Sequence, residues 1–125
     1  MNIVTYRRAG SKHVATISLE HQWRSITSYA AAHGHRIVAS FFDIGYAGTG
    51  LWQALEVLAD GEAQALLIHD FTRIDRGNPA APDPVQMLRE MRARLLTTRT
   101  GAVRLDALPV GSRSAAVPRR YSPAS

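Results

Sequence analysis

The chain contains no cysteine, which excludes a disulfide framework and any thiolate metal site. It has no apolar run of membrane-spanning length, and its first residues, Met1-Asn2-Ile3-Val4-Thr5-Tyr6-Arg7-Arg8, lack the hydrophobic stretch of a secretory signal. A soluble, cytoplasmic protein with no membrane contact is expected. Aromatic residues are sparse at 7%, yet 46% of the chain is hydrophobic and only 20% is charged, a balance that suits a globular domain and not a disordered one. At 125 residues it has the length of a single domain able to bury one core.

The net charge of +5 is unevenly placed. From Thr97 to Ser125, Arg99, Arg104, Arg113, Arg119 and Arg120 stand against Asp106 alone. The folded part before them is nearly neutral. This basic end is read as solvated and unstructured, with non-specific phosphate binding as its alternative.

Periodicity yields an alternation of strands and helices. Ile3 to Tyr6 reads as a first strand. A helix is predicted from an N-cap at Ser18, with Leu19, Gln22, Trp23, Ile26, Tyr29 and Ala30 on one face and a stop at Gly34. Arg36 to Phe42 forms a second strand, and Asp43 to Gly50 a glycine-rich loop. A helix carrying Leu51, Leu55 and Leu58 follows, then the apolar Ala65 to His69, as expected of a strand buried on both faces. Three prolines between Arg76 and Pro84 exclude a continuous helix there. Asp83-Pro84 opens the next helix, with Val85, Leu88, Met91 and Leu95 on one face, and a fourth strand is placed at Ala102 to Leu105.

The expected fold is therefore α/β, three-layered, with a mostly parallel sheet of about four strands flanked by helices. The domain is expected to occupy residues 1–96, or to reach 108, with an Ala/Arg/Pro/Ser-rich tail over 109–125. The last helix is expected to expose apolar surface and favour self-association.

Ligands of open parallel sheets sit beyond the carboxyl ends of the strands. Arg7, Arg8, Gly10 and Ser11 follow the first strand, Asp43 to Gly50 the second, and Asp70, Thr72, Arg73, Asp75 and Arg76 the third. Four arginines (Arg7, Arg8, Arg73, Arg76) on one rim suit a phosphate or phosphodiester, because forked guanidinium donors match its oxygens. Singly, each could equally face water and neutralise Asp70 or Asp75. Asp43 and Asp70 invite a divalent cation, but the neighbouring arginines oppose one. His13, His21, His33, His35 and His69 show no ligand spacing. Neither a metal nor a cofactor is expected.

Four ordered blocks resemble the resolvase/invertase serine recombinases. That family has Tyr-x-Arg-x-Ser after its first strand, and this chain has Tyr6-Arg7-Arg8-Ala9-Gly10 with Ser11 next. Ser18-Leu19-Glu20-His21-Gln22 matches the start of the family's first helix. Asp43-Ile44-Gly45-Tyr46-Ala47-Gly48 stands for Asp-x-Gly-x-Ser-Gly, and Thr72-Arg73-Ile74-Asp75-Arg76 for Asp-Arg-Leu-x-Arg. The resemblance implies a resolvase-like catalytic domain acting on DNA without metal, by a serine that forms a phosphoserine link while arginines stabilise the five-coordinate phosphorus. It makes Arg8, Arg73 and Arg76 the phosphate-binding arginines and Asp43 the acid that orders the site. It also implies a homo-oligomer or an intact recombinase as partner.

The departures point to impaired catalysis. Gly10 holds the nucleophile's place, Ala47 that of the second block's serine, and Thr72 that of the acid before the arginine pair. Thr49-Gly50-Leu51-Trp52 lacks the arginine that follows the second block. Ser11 is the remaining hydroxyl, which a shift at Gly10 would favour and strict attack geometry would oppose. After Leu96 nothing reads as the family's long helix or as a helix-turn-helix, as in a truncated or frame-shifted gene. Three expectations follow: a Ser11-dependent recombinase, a pseudoenzyme that pairs with an intact recombinase, or a small α/β domain binding a phosphate-bearing molecule or nucleotide.

Overall fold

In a computed structural model of the chain, residues 1–75 and 82–107 are described. Arg76 and the tail over 109–125 lie outside them. The elements run β1 (Asn2–Ala9), α1 (Ala15–Ala32), β2 (Arg36–Ile44), α2 (Thr49–Ala59), β3 (Ala65–Ile68), α3 (Thr72–Asp75), α4 (Pro84–Met91), β4 (Arg94–Thr97) and β5 (Gly101–Val103), closed by a 3-10 turn at Leu105–Ala107.

The sheet has five strands in the order β2-β1-β3-β4-β5. The first four pair in parallel, and β5 turns back antiparallel on β4. β3 is buried along its whole length, as its unbroken apolar run requires.

Two cores lie on opposite faces, and strand alternation assigns them. Ile3, Ala65, Leu67 and Leu96 face α1, meeting Ile26 and Ala30. Val4, Tyr6, Leu66, Ile68 and Leu95 face the other way, against Leu51, Leu55 and Leu58 of α2 and Val85 and Leu88 of α4. The result is three layers, with helices on both sides of the sheet.

α4 begins as its sequence requires. The Asp83 carboxylate accepts from the Val85 N–H at 3.0 Å, and Pro84 occupies the first turn.

Several boundaries differ from expectation, each for a local reason. α1 starts at Ala15, three residues before Ser18, with no side-chain cap at Val14. Ser18 is engaged elsewhere: its hydroxyl accepts from the Gln22 amide at 3.0 Å. α4 stops at Met91 because Arg92 adopts the left-handed conformation at φ 55. Leu95 thus belongs to β4 and not to the helix, where its spacing from Met91 had placed it. The fourth strand is accordingly Arg94–Thr97, and the stretch read as the fourth is the fifth.

The apolar surface also lies elsewhere than expected. On α4, Val85 and Leu88 are buried and Met87 and Met91 pack against the core. Among the described residues, the exposed large apolar side chains are instead Met1, then Val14 and Ile17 of the α1 end, Val38, Phe42 and Ile44 of the edge strand β2, and Tyr46 beyond it. Among the described residues, no helix is long and apolar enough to cross a membrane.

Candidate functional site

Arg8, Asp43 and Arg73, each singled out by a block, lie where β1, β2 and β3 end. Arg8, near the end of β1, is 7% exposed and faces the α2 side of the sheet. Its guanidinium donates to three backbone carbonyls: Nε to Arg73 O at 3.1 Å, Nη1 to Gly45 O at 2.8 Å and Nη2 to Thr72 O at 2.8 Å. One side chain thereby ties β1 to the turn after β2 and to α3. Charge-assisted bonds of this kind are among the stronger ones.

Arg73 closes the arrangement from the other side. Its Nη1 donates to Arg8 O at 3.0 Å, and its Nη2 lies 3.4 Å from the Asp70 carboxylate. The Nε of Arg73 is buried and has no hydrogen-bond partner among the described residues. Asp70 also accepts from the backbone N–H of Thr72 at 3.0 Å and from its hydroxyl. Burial opposes ionisation of Asp70, but these Thr72 bonds and the Arg73 charge outweigh it and hold the carboxyl below its ordinary value.

Asp43, at the end of β2, is a cap for α2. Its Oδ2 accepts from the Tyr6 hydroxyl at 2.8 Å, the Gly48 N–H at 2.8 Å and the Leu51 N–H at 3.1 Å, and its Oδ1 from the Gly50 N–H at 2.9 Å. A carboxylate at a helix N-terminus satisfies orphan donors and complements the dipole. Burial first, then the Asp43 charge, push the Tyr6 phenol above its ordinary range, so that it stays a donor. The glycine at position 50 is required by proximity: a Cβ there would stand 2.8 Å from the Phe42 carbonyl carbon and 3.0 Å from Asp43 Oδ1. Ala47 is buried in the core.

Arg7 departs from the expected rim. It alternates with Arg8 and faces the α1 side, its guanidinium 5.0 Å from the Trp23 ring centre and 5.6 Å from that of Phe42. Desolvation lowers its pKa, and its Nη1 reaches only the Leu19 carbonyl, at 3.4 Å. The structure thus brings Arg8, Arg73 and Asp43 together and sets Arg7 apart. Arg76 is not among the described residues.

Gly10 and Ser11 follow β1 and are both exposed. Among the described residues, and its two chain neighbours aside, no atom lies within 4 Å of where a Cβ of residue 10 would sit. Nothing steric therefore requires glycine at this position.

Gln22 is a site residue that motif reading named without giving it a role. It is fully buried. Its Oε1 accepts from the Arg8 N–H at 3.1 Å and its Nε2 donates to the Arg8 carbonyl at 2.8 Å. The Ser-x-x-x-Gln spacing within the second block was the available signal, since it places the Ser18 hydroxyl one helical turn away to orient that amide.

The sequence model of the resolvase N-terminal domain matches residues 3–108. The chain belongs to the resolvase family. Its fold is shared by solved catalytic domains of that family at low identity. The C-terminal catalytic domain of ISC1926 TnpA, an IS607-like serine recombinase, superposes with a TM-score of 0.67 at 21% identity, covering 78% of this chain and 67% of that one. A resolvase family site-specific recombinase from Streptococcus pneumoniae gives 0.67 at 21% identity, covering 81% and 74%. The N-terminal catalytic domain of TP901-1 integrase gives 0.65 at 16% identity, covering 81% and 80%. No curated protein matches this resolvase-family chain.

Proposed function

We propose that this resolvase-family domain is a pseudoenzyme of site-specific DNA recombination. It holds a DNA phosphate beside Arg73 but does not cut the strand, and it acts in the cytoplasm as a homo-oligomer or beside an intact recombinase. The observation that carries this reading is Gly10, which stands exposed at the end of β1 where the family's motif has its nucleophilic serine. Glycine offers no hydroxyl, and the phosphoryl transfer of this family needs one. Arg73 supports the phosphate contact, because its side chain is part-exposed at the strand ends and forked guanidinium donors match phosphate oxygens. Arg8 and Asp43 act here as positioning residues, engaged with backbone groups of the loops that frame the site. Arg76 follows Arg73 in the same block and is assigned the second phosphate contact.

Covalent capture on DNA tests the reading. The wild-type chain, Gly10→Ser and Ser11→Ala are incubated with a pool of duplex fragments, stopped in detergent and assayed for DNA-linked protein. The expected result is no adduct for the wild type and a gain for Gly10→Ser, whose new side chain enters open space. A wild-type adduct that disappears in Ser11→Ala would overturn the proposal and make Ser11 the nucleophile. Retardation of the same fragments on a gel, weakened by Arg73→Gln, reports the phosphate contact separately.

A further inference from the structure

Among the described residues, α1 is the one helix packed on its face of the sheet. It covers β1 and β3 and leaves a groove of about 630 Å³ beside it. One wall is a polar stripe of α1, formed by His21, Arg24, Ser25 and Tyr29. These positions fall on one helical face by their spacing. The floor is His69, which follows β3, with Thr98 and Arg99, which follow β4. The groove therefore lies at the carboxyl ends of parallel strands, where open α/β sheets hold ligands.

The chemistry of the lining is one-sided. Two guanidinium groups, two imidazoles and several hydroxyls line the groove, and among the described residues no carboxylate does. Two acids border it: Glu20 bonds Arg24 at 3.0 Å, and the Asp70 carboxylate, held by Thr72 and Arg73, lies 3.8 Å from His69 Nε2. The floor is fixed. The Thr98 hydroxyl donates to the His69 carbonyl at 3.0 Å and lies 3.1 Å from His69 Nδ1, while the His21 ring meets His69 edge-on at 5.3 Å. At the far end the Tyr29 ring stacks on His33 at 4.0 Å, extending an aromatic surface away from the basic floor.

We infer that this groove binds the phosphate of a nucleotide unit, with Arg99 and Arg24 on the phosphate and the Tyr29 end against the base. The groove adjoins the Arg8–Arg73 arrangement through Asp70, which lies between His69 and Arg73, but shares no lining residue with it, and the inference does not depend on the proposed function. Forked guanidinium donors and hydroxyls match phosphate oxygens, and aromatic rings accept any base by stacking. The groove is larger than one inorganic phosphate, so a phosphate carried on a nucleoside fits it better than the free ion. That unit comes either from a free nucleotide or from a single strand of nucleic acid.

Amide chemical shifts of the full chain, titrated separately with AMP, a short oligothymidylate and inorganic phosphate, test the inference. Saturable shifts at residues 21–29, His69, Thr98 and Arg99 are expected, with dissociation constants of about 0.1 mM, the weak end of non-specific phosphate binding. Arg99→Gln should weaken binding by about fivefold, as an exposed charge-assisted contact would. Arg36→Gln removes an exposed arginine at the opposite end of the sheet and should leave binding unchanged. Response to AMP identifies a free nucleotide as sufficient, and response to the oligomer alone identifies a strand. Response to inorganic phosphate alone, no response in the groove, or equal weakening in Arg36→Gln would overturn the inference.

Discussion

Removing the Arg8 guanidinium separates the two roles that its position permits. Arg8→Met keeps the aliphatic stem and deletes the donors to Gly45, Thr72 and Arg73. Each carbonyl left without a partner costs about 1–3 kcal/mol where it remains buried. Partial rehydration at the loops lowers the sum, so a loss of about 3–5 kcal/mol is expected, the range for breaking a buried charged network. A small domain has only about 5–15 kcal/mol in total, so the variant should be markedly less stable. In urea this corresponds to a midpoint lower by roughly 2 M, for the slopes typical of small proteins. Arg73→Gln is the internal comparison: it removes one bond to Arg8 O and the pairing with Asp70, and should cost less. If Arg8→Met unfolds within about 0.5 kcal/mol of the wild type, the level of an ordinary surface substitution, Arg8 is not a structural clamp. Its guanidinium would then be free to exchange carbonyls for a phosphate.

Gly50→Ala should destabilise the domain by about 1–3 kcal/mol, the usual range for overpacking, because its Cβ collides with the Phe42 carbonyl group. Gly10→Ala, whose Cβ meets nothing within 4 Å, should change stability by less than about 0.5 kcal/mol; the two melting curves decide. A pH series on Asp70→Asn checks the carboxylate beside Arg73. Its folded pKa is depressed, so its contribution is full above the unfolded value and is lost as pH falls through the folded one. The stability advantage of the wild type over Asp70→Asn should therefore be constant near neutrality and shrink below pH 3.8. An advantage that persists unchanged in strong acid would refute the assignment.

The order of the elements through β3 and the four blocks were legible in the sequence because apolar periodicity and glycine placement are local signals, while α3 and the strand β4 were not. Boundaries failed where a tertiary partner outranked the local one. Ser18 has the chemistry of an N-cap, yet its hydroxyl is oriented on Gln22, and α1 runs back to Ala15 without a cap. Leu95 continues the period of Val85, Leu88 and Met91, but Arg92 reverses the chain between them. Arg7 and Arg8 were expected on one rim, whereas alternation along β1 puts them on opposite faces of the sheet. Alternation could not reveal that the Arg8 donors end on carbonyls contributed by two distant loops, since backbone acceptors leave no trace in residue identity. Asp43 was legible as an ordering acid through the family pattern, while its four donors depend on how closely Gly50 lets α2 approach β2.

Gln22 makes to residue 8 the pair of bonds that a neighbouring strand would make, so the chain just ahead of Gly10 is anchored by a side chain rooted in α1. The holder of the reagent and the reagent itself are thus encoded in different places. The open space around position 10 means that this anchor asks nothing of the side chain that follows it, so the fold is indifferent to which residue is mounted there.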